Sequence, residues 1–135
     1  MNKKMNPVVH FEMPAEDNSR AKKFYEEAFG WEMTQLGADM GDYLLATTSP
    51  VDKDNMHINK GAINGGFFKK GDYGTIPHLV ISVDNLKEHM DIIKKAGGKI
   101  IGEAMNITGI GEFVMFKDTE GNQVGMLEPI KMQSK

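Results

Sequence analysis

Two histidines and one glutamate are the side chains best suited to binding a metal ion or moving a proton. His10 lies in the apolar stretch 8–13 with Glu12 two residues later, and His78 lies in a similar stretch at 76–81. Imidazoles bind transition metals, and imidazole and carboxylate groups are common general acids and bases. Residues two apart on a strand share a face. Glu12 is therefore a candidate catalytic residue or third metal ligand, the alternative being a rim carboxylate paired with a lysine.

The composition limits what other chemistry is available. The 135 residues contain no cysteine, which excludes a thiol nucleophile, a disulfide framework and cysteine-ligated metal. The net charge of −3 gives no basic surface for nucleic acid, and no apolar run approaches the length of a membrane span. We therefore expect a cytoplasmic protein with no nucleic-acid or membrane partner.

The sequence contains an internal repeat, which constrains the fold more than local propensities do. Placing His10 on His78, an offset of 68 residues, aligns 8–13 with 76–81 and 28–30 with 96–98. Further along, 41–45 matches 111–115 at an offset of 70. In this alignment Glu12 corresponds to Val80 and Tyr43 to Phe113.

Each copy predicts the element order βαβββ. In the first copy, residues 17–19 offer caps for a helix that Gly30 ends, and in the second, Asp84 or Asn85 caps a helix that Gly97 and Gly98 end. The remaining strands are expected near 31–36, 42–48 and 62–68 and near 99–107, 112–117 and 123–128, with a mobile loop at 49–60.

The predicted fold is α+β. Two tandem βαβββ repeats are expected to form a curved, mostly antiparallel eight-stranded sheet with the helices on its outer face. The alternative is two four-stranded halves that are completed by exchange between subunits. In the first strand, Val9, Phe11 and Met13 form an apolar face for the helix, which leaves His10 and Glu12 on the opposite face. The same alternation places His78 on that face, so we expect both histidines beside one cavity. We divide the chain into a flexible lead (1–6), one domain (7–129, with half-repeats at about 7–68 and 76–129) and a tail (130–135).

Several of these strings resemble the vicinal oxygen chelate superfamily, which includes glyoxalase I, bleomycin-resistance proteins and extradiol dioxygenases. The resemblance is carried by the strand and turn at 78–85, the helix end at 95–98, the segment 116–122 with its Asp-Thr-Glu-Gly-Asn string, and 17–31 in the first copy. It extends over nearly the whole chain, from about 7 to 129. It implies the fold of that superfamily, and commonly a homodimer.

The resemblance also implies a metal site of four side chains in metal-bearing members, one from the first and one from the last strand of each half. It places two of these ligands at His10 and His78. The two acidic ligand positions fall on Gly66, in the pair 65–66, and on Gly125, and glycine has no side chain to coordinate a metal. Glu128 is out of phase with Gly125 and is a poor substitute. We therefore expect no cofactor, with a weakly bound divalent metal as the alternative.

Three functions follow as hypotheses. The first is a binding module that holds a small apolar or aromatic molecule in a cupped pocket. The second is a divalent-metal-dependent lyase or isomerase of the glyoxalase type that uses His10 and His78, and the third is a dimeric scaffold with a vestigial pocket. Ligand pockets are mostly apolar with a few polar groups. The candidate lining residues are Trp31, Tyr43, Phe67, Phe113 and Met115.

Overall fold

The computed structural model describes residues 4–54, 56–71, 74–107 and 110–130. Its elements follow the predicted order βαβββ twice, with a short 3-10 turn at Ala38–Met40. The helices are α1 (Asn18–Phe29) and α2 (Leu86–Lys95). The strands are β1 (Val8–Ala15), β2 (Glu32–Gln35), β3 (Leu44–Thr47), β4 (Asn64–Lys69), β5 (His78–Ser82), β6 (Lys99–Ile107), β7 (Gly111–Lys117) and β8 (Gln123–Pro129).

The strands belong to one mixed eight-stranded sheet. The chain divides into two compact units, which we name the first half (His10–Pro77) and the second half (from His78 onward, together with the residues up to Val9). The first half has the strand order β2-β3-β4-β1, with β1 parallel to β4 and the other pairs antiparallel. The second half has the order β5-β8-β7-β6, with β5 parallel to β8. The predicted repeat is confirmed, because both halves follow one plan.

Helix α1 begins and ends at the predicted residues. The Asp17 side chain accepts a hydrogen bond from the Arg20 backbone N–H at 3.0 Å, which satisfies one of the unpaired donors of the first turn. Gly30 ends the helix at φ 69°, a left-handed conformation that suits glycine. Residues of α1 then pack on a buried cluster formed by Met33, Leu44, Ala46 and Phe67.

Helix α2 has two side chains at its first turn. Of the two predicted candidates, Asn85 is the cap, and its side chain accepts from the Glu88 backbone N–H at 3.0 Å. The carboxylate of Glu128 in β8 accepts from the Leu86 N–H at 2.8 Å. Glu128 therefore lies on the helix side of its strand, out of phase with Gly125 as expected. The helix packs on a cluster of Val83, Leu86, Val114, Phe116 and Met126.

One face of each half is thus covered by its helix. Phe11 and Met13 pack with the cluster beneath α1, and Ile81 packs with the cluster beneath α2. Because side chains alternate along a strand, His10 and His78 lie on the opposite face of their own halves. Among the described residues, neither helix is long and apolar enough to cross a membrane.

Candidate functional site

We name the face of each half that is opposite to its helix the histidine face. In the first half it carries three polar side chains joined in a chain. The Tyr43 hydroxyl donates to Glu12 Oε2 at 2.8 Å, and the same hydroxyl oxygen lies 3.0 Å from His10 Nε2. All three side chains are half-buried. Strand β1 positions Glu12 and His10 two residues apart, and Tyr43 stands just before β3.

The donors and acceptors give the hydrogen-bonded chain of His10, Tyr43 and Glu12 a direction. A phenol carries one hydrogen, and Tyr43 gives it to Glu12. The hydrogen in the bond between Tyr43 and His10 must therefore come from the imidazole, so the network assigns the proton to Nε2 of His10. That nitrogen has no lone pair left for a metal ion unless the bond to Tyr43 breaks.

The Tyr43 ring packs directly over Gly66. In the sheet, Gly66 is the partner of Glu12 on β1 and of Leu45 on β3, so all three side-chain directions share one face. A Cβ atom at residue 66 would overlap the phenol of Tyr43 at Cε2, Cζ and the hydroxyl oxygen. The ring reaches both Glu12 and His10 only because residue 66 has no side chain.

The second half has the same arrangement with apolar residues. Gly125 is the partner of Val80 on β5 and of Met115 on β7. A Cβ atom at residue 125 would lie 2.7 Å from the Phe113 ring and 3.3 Å from Val80. The Phe113 ring therefore packs directly over Gly125. His78 is buried on this face, with 6% of its surface exposed.

The four-side-chain metal site that the resemblance implies does not fit these residues. Two of its positions are the imidazoles of His10 and His78. The other two are glycines whose side-chain space is filled by aromatic rings, Tyr43 at Gly66 and Phe113 at Gly125. Within the described ranges, no group of three or more histidine, aspartate or glutamate side chains is placed to hold a metal ion.

The five predicted lining residues divide between the two faces. Tyr43, Phe113 and Met115 lie on the histidine face. Trp31 and Phe67 instead pack on the helix side of the first half, where the Trp31 ring stacks on Tyr25 of α1 at 4.9 Å between centroids. Phe67 follows Gly66 directly, and a step of one residue along a strand reverses the face.

Phe67 also lines an open cleft of about 480 Å³ beside α1. The cleft contains charges of both signs, and Lys70 lies 3.9 Å from Glu16 in one ion pair at its wall. Asp17, also in the cleft, is engaged as the cap of α1. This cleft lies beside α1, and its lining does not include His10, Glu12 or Tyr43.

The link between Glu12 and Tyr43 is the feature that the sequence analysis missed. Both residues were candidates, Glu12 for chemistry and Tyr43 for the pocket lining, but nothing joined them. The signal was present in the strand phases, since Tyr43 is in phase with Leu45 and Glu12 with His10. Joining them also required the register that pairs Gly66 with both strands.

The sequence of the chain matches a family model and two relatives. The model of the Glyoxalase/Bleomycin resistance protein/Dioxygenase superfamily matches residues 8–126. A glyoxylase-like domain-containing protein of Didymella fabae is 31% identical over 123 residues, covering 85% of this chain and 88% of the relative. A probable lactoylglutathione lyase of Vibrio parahaemolyticus is 27% identical over 124 residues, covering 90% of this chain and 89% of the relative.

Solved structures show the same fold at low sequence identity. Methylmalonyl-CoA epimerase from Mycobacterium tuberculosis is similar with a TM-score of 0.65 and 15% identity, over 92% of this chain and 88% of that one. The Streptomyces coelicolor methylmalonyl-CoA epimerase, in complex with 2-nitronate-propionyl-CoA, is similar with a TM-score of 0.68 and 12% identity, over 95% and 100% of the two chains. At these identities the likeness describes the fold alone.

Proposed function

Because the chain belongs to the glyoxalase/bleomycin resistance protein/dioxygenase superfamily, we propose that it binds a small apolar or aromatic molecule on its histidine face. Family membership does not choose the function, since one fold hosts unrelated activities. The observation that carries the proposal is the pair of aromatic rings seated on glycine. Where the resemblance calls for acidic ligands, Tyr43 and Phe113 fill the space above Gly66 and Gly125.

The composition of the face supports this function. Phe113, Met115 and Val80 are all buried apolar side chains in the second half. In the first half, the polar groups are concentrated in the single chain from His10 through Tyr43 to Glu12. Taken separately, each half therefore presents groups of a kind found in small-molecule sites, an apolar lining in the second half and a few placed polar groups in the first.

The second candidate function is a divalent-metal-dependent lyase or isomerase that uses His10 and His78. Its support is the similarity to a probable lactoylglutathione lyase together with the two histidines. The bond between His10 Nε2 and Tyr43 weighs against it, because a metal that binds at Nε2 would have to displace this bond. A dimeric scaffold with a vestigial pocket is the third candidate. In all three cases we propose a homodimer, on the basis of the family resemblance, and a cytoplasmic location, on the basis of the absence of cysteine. Light scattering measures the oligomeric state.

Calorimetry with naphthalene as the probe tests the proposed function. We expect saturable binding by the native protein and about threefold to tenfold weaker binding by Phe113→Leu, because an aromatic contact is lost. Phe29→Leu is the matched control, since Phe29 is 62% exposed on α1 and its change should leave binding intact.

Metal analysis of untagged protein and an assay with the methylglyoxal–glutathione hemithioacetal complete the test. Stoichiometric zinc, nickel or manganese with chelator-sensitive turnover would reject the binding proposal and favour the lyase.

A further inference from the structure

We infer that Asn18 and Gln35 are positioning residues of the histidine face. Their side-chain amides hold the backbone at Asp42 and Tyr43, and so determine whether the Tyr43 hydroxyl reaches its two partners. This inference deepens the proposed function. Its binding measurement rests on that function, whereas its spectroscopic measurement does not.

The two side-chain amides converge on the carbonyl oxygen of Asp42. Gln35 Nε2 and Asn18 Nδ2 each donate to this oxygen at 2.8 Å. Gln35 Nε2 also lies 2.9 Å from the carbonyl oxygen of Leu36 and 3.4 Å from that of Tyr43. Asn18 Nδ2 in turn donates to Gln35 Oε1 at 3.0 Å. The amides therefore join the first residue of α1 and the last residue of β2 to the residue that precedes Tyr43.

Asp42 requires this support because its backbone is strained. Among the residues that the structure describes, Asp42 is the only one other than glycine with a positive φ, at 55°. In this left-handed conformation the Cβ atom comes too close to the following carbonyl oxygen. Such a conformation persists only where the surrounding structure holds it. The two amides supply that restraint directly before Tyr43.

The second half places its aromatic ring by strand pairing instead. Phe113 lies inside β7, where it is the partner of Met105 on β6 and of Leu127 on β8. Tyr43 stands one residue before β3, and its carbonyl accepts from the Leu36 backbone N–H at 2.9 Å. In the first half, the side-chain amides therefore supplement the strand pairing that positions the ring in the second half.

The position of Tyr43 matters because its hydroxyl is shared by two hydrogen bonds. The hydroxyl donates to Glu12 at 2.8 Å and accepts from His10 Nε2 at 3.0 Å. A movement of roughly 1 Å away from these partners takes both distances beyond the hydrogen-bond range. The Gln35 side chain is exposed and donates to none of these groups, so its effect on them passes through the Tyr43 backbone.

Two variants of Gln35 test the inference by removing the donors while keeping the length of the side chain. Gln35→Glu turns a carboxylate toward the carbonyl oxygens, and Gln35→Met removes the donors without adding a charge. The first measurement is the Nε2–H signal of His10 in proton–nitrogen NMR spectra. The variant His10→Gln assigns this signal, because the buried His78 can give a second one. The native protein should show the signal, since a half-buried, hydrogen-bonded N–H exchanges slowly with water, and both Gln35 variants should lose it.

Calorimetry with naphthalene is the second measurement. Both Gln35 variants should bind naphthalene about twofold to tenfold more weakly than the native protein, because a displaced Tyr43 ring loses its contact with the probe. Each variant is measured at a temperature where circular dichroism shows it folded, so a loss of stability alone changes neither result.

A third variant and a matched control define the residues responsible. Asn18→Asp removes the other amide donor to Asp42, and α1 tolerates it because an acidic residue is favourable in the first turn of a helix. It should change both measurements in the same direction as the Gln35 variants. Gln123→Glu makes the same chemical change on β8 in the second half and should behave as the native protein.

The possible failures are distinguishable. An unchanged His10 signal in both Gln35 variants, its absence from the native protein, or its loss in Gln123→Glu as well would each overturn the inference while leaving the proposed function in place. Failure of the native protein to bind naphthalene would overturn the proposed function, and the His10 signal would still decide the role of Gln35 and Asn18.

Discussion

The two halves of the chain share a backbone plan and differ in the polarity of one face. In the first half an aromatic ring is seated on Gly66 and its hydroxyl joins Glu12 to His10. In the second half the equivalent ring is Phe113, seated on Gly125, and the equivalent of Glu12 is Val80. The glycine and the ring recur in both copies, whereas the hydroxyl and the carboxylate occur in one.

This difference separates two roles of the repeat. The strand pairing and the glycine fix where a ring can lie, because in each half the ring fills space that a side chain would otherwise take. The atoms attached to the ring and its neighbour then decide whether that place is polar or apolar. One architecture therefore supplies an apolar surface and a hydrogen-bonding group without any change in the fold.

Adding a methyl group beneath each ring gives the largest expected effect. Gly66→Ala must displace Tyr43 and break its bonds to Glu12 and His10, so we expect a loss of about 2–4 kcal/mol in the free energy of unfolding. Gly125→Ala displaces only the Phe113 ring, and we expect about 1–3 kcal/mol. Urea denaturation measures both.

The control for this comparison is to shrink the ring. Tyr43→Ala combined with Gly66→Ala should be less destabilising than the sum of the two single changes, because the added methyl group then has room. A Gly66→Ala protein within about 0.5 kcal/mol of the native stability, which is typical of a neutral surface change, would show that the ring is not seated as described.

Exchanging the rings gives the next effect. Tyr43→Phe removes the hydroxyl and should cost about 1–2 kcal/mol, since Glu12 and His10 each lose a partner. Phe113→Tyr should cost about 1–3 kcal/mol, because it adds a hydroxyl to a buried side chain, 5% exposed, that packs on an apolar face. Urea denaturation again gives the values.

The double change Phe113→Tyr with Val80→Glu rebuilds the polar pair in the second half. We expect a favourable coupling energy of about 0.5–3 kcal/mol between the two changes, the range found for residues in direct contact. A coupling energy of zero would mean that the two halves are not equivalent at this position.

Most of the fold could be predicted from the sequence because its signals are local or repeated. Gly30 ends α1 as predicted, and the helix caps are Asp17 and Asn85, each one of the alternatives that the sequence offered. The alternation in β1 correctly separated Phe11 from His10. These features depend on neighbouring residues or on the match between the two copies of the repeat. Neither kind of signal requires knowledge of a tertiary contact.

The site was predicted only in part because its decisive contacts join residues that are distant in the sequence. Gly66 was interpreted as a position where a metal ligand is missing. That the Tyr43 ring packs over this glycine could not be predicted, because Tyr43 comes from a different part of the sequence. Trp31 and Phe67 are aromatic, like Tyr43 and Phe113, so composition alone does not separate the face under the helix from the histidine face. Whether these residues form one pocket stays a prediction.

The smallest expected effect concerns the turns that join the last two strands of each half. In the second half, this turn is organised by Asp118, whose Oδ1 accepts from the backbone N–H groups of Glu120 and Asn122 at 2.8 and 2.9 Å. Its Oδ2 accepts from the Asn122 side chain at 2.9 Å. The first half joins β3 to β4 through the longer segment 48–63 and has a different connection there, with an isolated bridge between Val51 and His57.

The Asp118 turn should make the stability of the protein depend on pH. The hydrogen bond from the Asn122 side chain, followed by those from the backbone of Asn122 and Glu120, holds the pKa of Asp118 below its usual 3.8. A carboxyl whose pKa is lower in the folded protein contributes stability above its unfolded pKa and loses it as the pH falls through the folded value. Asp118→Asn should therefore be slightly less stable than the native protein at neutral pH, and the difference should close below pH 3.8. The effect is small because Asp118 is only partly buried and its charge is screened by water and salt. Asn122→Ala, which removes the largest cause of the shift, should reduce the same difference in urea titrations across this pH range, and a constant difference at every pH would contradict the role of the charge.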